Sequence, residues 1–235
     1  MIEVEDLWKV YRAGASGDPV VAVAGASFSC KPGRVFGLIG ANGAGKTTTL
    51  RMISTVLAPS AGRVEVCGFD VRSEPDEVRR RLGFLSGSTG VYDRMTPVEF
   101  IDYFGRLNGL EPDPLEARRE ELLDLLDMRG FCDRLCGTLS TGQKQKASIA
   151  RALIHDPPVL IFDEPTSGLD ILVARSVIDF VASLKGPSRA MILSTHIMEE
   201  AEQLCDDMAI IHRGKVRLCD SVAAAKERYE TDSIA

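Results

Sequence analysis

Apolar positions fall along this chain in three rhythms, and each predicts a different kind of element. Residues Ile2 to Val10 and Val20 to Ser29 alternate loosely between apolar and polar, with turn-forming residues 14–19 between them, which predicts an antiparallel layer. The stretch 62–67 (GRVEVC), after a turn at Pro59 to Gly62, adds another β segment. Unbroken apolar runs at Val35 to Ile39, Val159 to Phe162, Ala190 to Leu193 and Ala209 to Ile211 predict strands buried on both faces. Helical stretches at about Ile171 to Leu184 and Met198 to Cys205 separate the later runs, the pattern of a parallel sheet covered on both sides. Residues 213–215 (RGK) read as a hairpin turn into Val216 to Cys219.

Between roughly 91 and 154 the period becomes helical. Thr96, Pro97 and Glu99 supply a cap, a first-turn proline and a reciprocal capping partner. Leucines at 115, 122, 125 and 126 give Glu111 to Met128 one apolar face, and its acidic residues read as a solvated one. The prediction is an α/β core split by a helical insertion. Its parts are a core from 1–86 and 155–220, a helical lobe from 87–154 and a polar helix and tail from 221–235.

The first buried run leads straight into residues 40–48, GANGAGKTT, which complete the pattern G-x-x-x-x-G-K-[ST]. Glycines at 40, 43 and 45 let the backbone of Asn42, Gly43, Ala44, Gly45, Lys46, Thr47 and Thr48 turn its N–H groups inward onto phosphate oxygens. Lys46 is placed to reach the β and γ phosphates, and the Thr47 hydroxyl to bind Mg²⁺. A helix over Lys46 to Leu57 then points its positive end at the anion. The run from Val159 ends in Asp163 and Glu164, a costly place for two carboxylates unless a ligand at the strand's carboxyl end needs them. Asp163 suits the metal and Glu164 the attacking water.

Charge and composition narrow the partners. The chain has 235 residues and a formal net charge of −6, which argues against a life on nucleic acid. It contains no apolar run long enough to cross a bilayer, and its acidic N-terminus does not resemble a signal peptide, so a cytoplasmic protein is expected. Six cysteines (30, 67, 132, 136, 205 and 219) show no metal-binding spacing and read as structural, with Cys132 and Cys136 the expected exposed pair. His155 and His212 have no chemical context.

Residues 139–143, LSTGQ, resemble the signature of ATP-binding cassette (ABC) proteins, usually written L-S-G-G-Q. Ser140 and Gln143 could equally be a plain capping box. Residues 167–170 (SGLD) resemble the family's D-loop and 194–196 (STH) its switch histidine, in the family's order, and the likeness covers essentially the whole chain. It implies a RecA-like P-loop NTPase with ATP and Mg²⁺ held by Thr47 and Asp163, and hydrolysis served by Lys46, Glu164 and His196. It further implies a head-to-tail dimer, homo- or heteromeric. ATP would then lie between one phosphate loop and the partner's Ser140, Gly142 and Gln143, with Asp170 linking the two sites. Tyr11 stands where the family stacks adenine, although an aromatic at a strand end is also ordinary packing.

Two positions depart from the family. Gly87 stands where a glutamine binds Mg²⁺ and senses the membrane partner, leaving Ser86, Ser88, Thr89 or water to fill that place; Thr141 replaces the first signature glycine. Residues 83–96 read with 139–146 look like sodium-extrusion and other ABC-2-type exporter subunits. That resemblance implies an ATPase on the inner face of the membrane, powering a separate integral permease whose helix seats near Ser86 to Arg94. The competing readings are a non-transport ABC ATPase and a weakly hydrolysing, ATP-dependent dimerisation switch.

Overall fold

The computed structural model describes residues 1–12, 18–87 and 90–232. Most of the expected turn at 14–19, the candidate oxygen donors Ser88 and Thr89, and the last residues of the tail lie outside that range.

The alternating segments form β1 (Ile2–Tyr11) and β2 (Val20–Cys30), paired antiparallel from Ile2 opposite Cys30 to Tyr11 opposite Val20. The unbroken run after them is β3 (Val35–Ile39), followed by helix α1 (Lys46–Ile53). Strands β4 (Ala61–Val66) and β5 (Phe69–Asp70) complete the antiparallel layer in the order β2-β1-β4-β5. Helix α1 stops earlier than the sequence predicts, at Ile53 rather than Leu57. The Ser54 hydroxyl bonds back to Leu50 O at 2.8 Å, and Thr55 takes a left-handed φ of 60° that no helix can continue.

After α2 (Pro75–Arg80) comes β6 (Leu82–Ser86), and then three helices, α3 (Pro97–Leu107), α4 (Pro112–Leu125) and α5 (Thr141–Leu153). Both α3 and α5 begin with reciprocal capping boxes, Thr96 with Glu99 and Ser140 with Gln143. The chain then alternates through β7 (Val159–Asp163), α6 (Ile171–Ser183), β8 (Ala190–Thr195), α7 (Met198–Leu204), β9 (Asp207–His212), β10 (Lys215–Ser221) and α8 (Val222–Asp232). The second sheet runs β10-β9-β3-β8-β7-β6, parallel throughout except for the antiparallel β10 edge. No described helix is long and apolar enough to cross a membrane.

Because strand side chains alternate, each central strand feeds two cores. Phe36, Leu38 and Ile161 face the antiparallel layer and α1, where the rings of Phe28 and Phe36 stack at 4.9 Å. Ile39, Leu160 and Phe162 face the other way, into an apolar mass that runs without a break through Leu122, Met128, Ile149 and Val181. The inserted helices share this core with the sheet. That explains why the expectation of exposure fails at Cys132 and Cys136: both are buried in this mass, and Cys219 is the exposed cysteine. The hydrophilic residues around 132–136 point outward while the two thiols point in. Burial also pushes the thiols of Cys30 and Cys205 up, to about 11 and about 12. A maleimide at neutral pH is therefore expected to label Cys219 first, with Cys132 and Cys136 reacting only on denaturation. Rapid native labelling of either, read by peptide mass, would contradict this packing.

Candidate functional site

The phosphate loop joins β3 to α1, and close backbone approach dictates its glycines. A Cβ on Gly40 would lie 2.3 Å from Ile211 O, and one on Gly45 2.5 Å from Ala22 O. Gly45 also has a φ of 110°, open to glycine but strained for other residues, and it is the N-cap of α1. The loop is thereby clamped against β2 and β9 and opens on an outer cleft of about 300 Å³ lined by Ala22, Asn42, Gly43, Lys46, Thr48 and Glu164, among others.

Sheet order brings the rest of the chemistry to this cleft. Since β8 lies between β3 and β7, the carboxyl ends of all three strands sit side by side, the usual ligand position in open α/β sheets. Thr47 donates its hydroxyl to Asp163 Oδ1 at 3.1 Å, and Ser194 donates to the same oxygen at 2.6 Å. Lys46, only 4% exposed, donates to Gly40 O at 2.7 Å and Ala41 O at 3.3 Å, and pairs with Glu164 Oε1 at 3.0 Å. The same Glu164 oxygen lies 3.5 Å from His196 Nδ1.

Glu164 adopts a left-handed φ of 50°, rare for a residue with a side chain. Its N–H is held by both the carbonyl and the hydroxyl of Ser194, each at 3.1 Å. One buried serine thus anchors the Asp163 carboxylate and the backbone of Glu164 together. Sequence reasoning used residues 194–196 only for the histidine; the signal it passed over was a hydroxyl at the end of a neighbouring buried strand.

Lys46, Thr47, Asp163, Glu164 and His196 therefore converge. Ser140, Gly142 and Gln143 do not join them: they line a separate, mainly apolar cleft of about 410 Å³ with residues of α4 and α6. There Ser140 Oγ accepts from Gln143 N at 3.3 Å, while Gln143 Oε1 accepts from Ser140 N at 3.0 Å. Ser140 is exposed and keeps its hydroxyl proton to donate elsewhere. Gln145, which sequence reasoning did not single out, ties this helix to the main site by donating to Pro165 O at 2.6 Å. Asp170 caps α6 by accepting from Val173 N at 3.0 Å. Tyr11 is exposed at the end of β1, with Lys9 Nζ 5.3 Å from its ring centre.

Gly87 follows β6, and its N–H donates to Asp163 O at 3.3 Å, so the departure from the family sits at the Asp163 edge of the site. A Cβ there would meet only Asp163 O at 3.7 Å and Glu164 O at 3.9 Å, ordinary contacts, so nothing local demands glycine.

A clamped phosphate loop, an aspartate on its threonine and a glutamate held against its lysine define a P-loop nucleotide-hydrolysing core. The ABC transporter family model matches residues 23–167, and a second, described as AAA domain, putative AbiEii toxin, Type IV TA system, matches residues 136–202. The chain is 48% identical over 198 residues to the ABC transporter ATP-binding protein NatA of Bacillus subtilis, covering 84% of this chain and 80% of that one. It is 37% identical to a Nod factor export ATP-binding protein I of Ralstonia nicotianae, covering 92% of this chain and 65% of the relative. With the daunorubicin/doxorubicin resistance ATP-binding protein DrrA of Streptomyces peucetius it shares 38% identity over 92% of its length and 63% of the relative's. A solved ATP binding subunit of an ABC transporter superposes with a TM-score of 0.85 at 28% identity, over 97% of this chain and 93% of that one. A dimeric ATP-binding cassette bound to ADP and Pi gives 0.84 at 22% identity, over 94% and 99%.

The chain belongs to the ABC transporter family. It is an ATP-binding, ATP-hydrolysing subunit.

Proposed function

We propose that two copies of this cassette, or this one and a close relative, pack head to tail and drive an exporter's permease by ATP hydrolysis. The observation that carries the reading is the division of the machinery. Lys46, Glu164 and His196 meet at one cleft, while the exposed Ser140 helix start, with a hydroxyl proton to give, lies outside it. A partner's Ser140, Gly142 and Gln143 would close the cleft, adding N–H groups and a positive helix end to the γ phosphate.

Within each cleft the backbone from Asn42 to Thr48 cradles the phosphates, with Lys46 on the β and γ groups and Tyr11 against adenine. Thr47 and Asp163 offer hard oxygen ligands 3.1 Å apart, a donor set that fits Mg²⁺ and would hold it. Bound there, Mg²⁺ would supply neutralising positive charge to the phosphates. Glu164 accepts a proton from water as the water oxygen bonds to the γ phosphorus and the bond to the β-γ bridging oxygen breaks. His196 steadies the γ phosphate, and Asp170 reaches toward the second site.

The helical lobe at 87–154 would carry the signature and meet the permease near Ser86 to Arg94. Tyr92 and Tyr103 are exposed there, and Arg94 and Arg106 line a shallow groove. The protein would then sit on the inner membrane face. Export fits the relatives' names, sodium fits the resemblance to sodium-extrusion subunits, and the permease sets the actual substrate. A non-transport ABC ATPase is not favoured by these relatives.

Complementation tests the head-to-tail arrangement. Lys46→Ala and Ser140→Arg homodimers should each be inactive, because each has both sites broken. A one-to-one mixture should recover about a quarter of the parent ATPase activity, since half the dimers then carry one intact site of two. No recovery on mixing, with both variants folded, would sink the arrangement. Gly87→Gln should fold normally and lower the Mg²⁺ concentration for half-maximal turnover several-fold, as an added oxygen ligand would. An unchanged Mg²⁺ titration would remove Gly87 from the metal side of the site.

A further inference from the structure

Glu200 is a buried carboxylate that the reaction described above does not use. It sits in the first turn of α7, yet both of its oxygens are spent on other segments. Thr166 donates to Glu200 Oε1 at 2.6 Å, and Thr195 donates to Glu200 Oε2 at 2.5 Å. Thr195 Oγ1 in turn accepts from Ile197 N at 3.0 Å. All three side chains are buried, where charge-assisted hydrogen bonds are strong and leaving one unmade is costly.

The two threonines occupy telling places. Thr166 follows Glu164 and Pro165 and leads directly into the 167–170 loop, whose Ser167 and Gly168 are exposed. Thr195 immediately precedes His196, and through Ile197 N–H it sets the turn on which that histidine stands. Threonine is stiff at χ1, so a shift of either backbone segment moves the hydroxyl rather than being absorbed by side-chain rotation.

We infer that Glu200 is a positioning residue that couples the 167–170 loop to His196, so that seating of the partner subunit on that loop sets the histidine against the γ phosphate. This rests on the proposed roles of His196 and of the 167–170 loop. Displacement enters at Thr166, crosses the carboxylate and leaves through Thr195.

Thr166→Val removes one hydroxyl and preserves shape but leaves Glu200 Oε1 unpaired, so its kinetics are read at a temperature where thermal unfolding shows the variant fully folded. It should lower kcat about 10-fold with KM for ATP within about twofold, a loss smaller than the about 10²-fold that a 1 Å misplacement far from the chemistry can cost. Thr195→Val should do likewise, and the double variant should lose no more than the worse single, because either change opens the same link. Glu200→Ala should match the double variant. Glu200→Gln, which can accept from one threonine and donate to the other, should recover most of the turnover. Effects that multiply in the double variant, or a loss confined to KM, would overturn the coupling. His196→Ala separates the two ideas: unchanged turnover in it removes the reading on which the coupling rests. A slow His196→Ala beside a Thr166→Val of parental rate removes the coupling alone.

Discussion

Glu164→Gln is expected to cut ATP turnover by about 10² to 10⁴-fold while leaving the fold intact, the range associated with losing a positioned general base. The amide keeps the size of the side chain and an acceptor oxygen but does not accept a proton at neutral pH. The backbone that aims it, strained to a φ of 50° and held by two bonds from Glu164 N to Ser194, is unaffected by the change. ATP should therefore bind and persist, and the variant should elute as a dimer with ATP and Mg²⁺ where the parent returns to a smaller species. Equal turnover in variant and parent would show that Glu164 is not the base. Slow turnover in the parent itself would instead favour the dimerisation switch.

Lys46→Ala should weaken ATP binding by at least about 100-fold, equivalent to about 3 kcal/mol. Two effects add. The ammonium that meets the phosphates is lost, a charge-assisted interaction of about 1.5–3 kcal/mol. Glu164, whose Oε1 lies 3.0 Å from Lys46 Nζ, is also left unneutralised where an anion must enter. Titration with a fluorescent ATP analogue reads the result directly. Retained affinity would count against the phosphate-loop assignment. The double variant Lys46→Ala/Glu164→Gln should regain part of the affinity if the unneutralised carboxylate contributes, and the two substitutions should not be additive, because the groups touch.

Much of this site was legible because its chemistry is contiguous. Residues 40–48 hold a lysine, a threonine hydroxyl and the glycines that shape the loop within nine consecutive positions. The capping boxes at Thr96 and Ser140 were readable for the same reason, since each needs only residues three apart. Asp163 and Glu164 stood out because ending a buried run in charge is expensive. Such features depend on local geometry and on the cost of desolvation, both of which can be read from neighbouring residues.

What escaped depends on which strands lie next to one another. Thr47 and Asp163, 116 positions apart, were expected to meet at one metal, but Ser194, 31 positions from Asp163, was not expected to join them. They share one oxygen only because β8 is inserted between β3 and β7. The Thr166–Glu200–Thr195 bridge has the same origin, as residue 166 follows β7, residue 195 ends the neighbouring β8, and Glu200 of α7 accepts from both. The burial of Cys132 and Cys136 was misjudged for a related reason, since polar neighbours in sequence do not say which way a side chain faces once helices and sheet share a core.

The sequence alone determined the phosphate loop, the buried strands, the helical insertion and the nucleotide chemistry, because each is written in residues that act on their immediate neighbours. Only the tertiary structure decided how Lys46 meets Glu164, how Ser194 anchors two carboxylate-bearing positions, and how Glu200 joins Thr166 to Thr195. Those relations come from sheet order and shared packing, where the energy lies between segments distant along the chain.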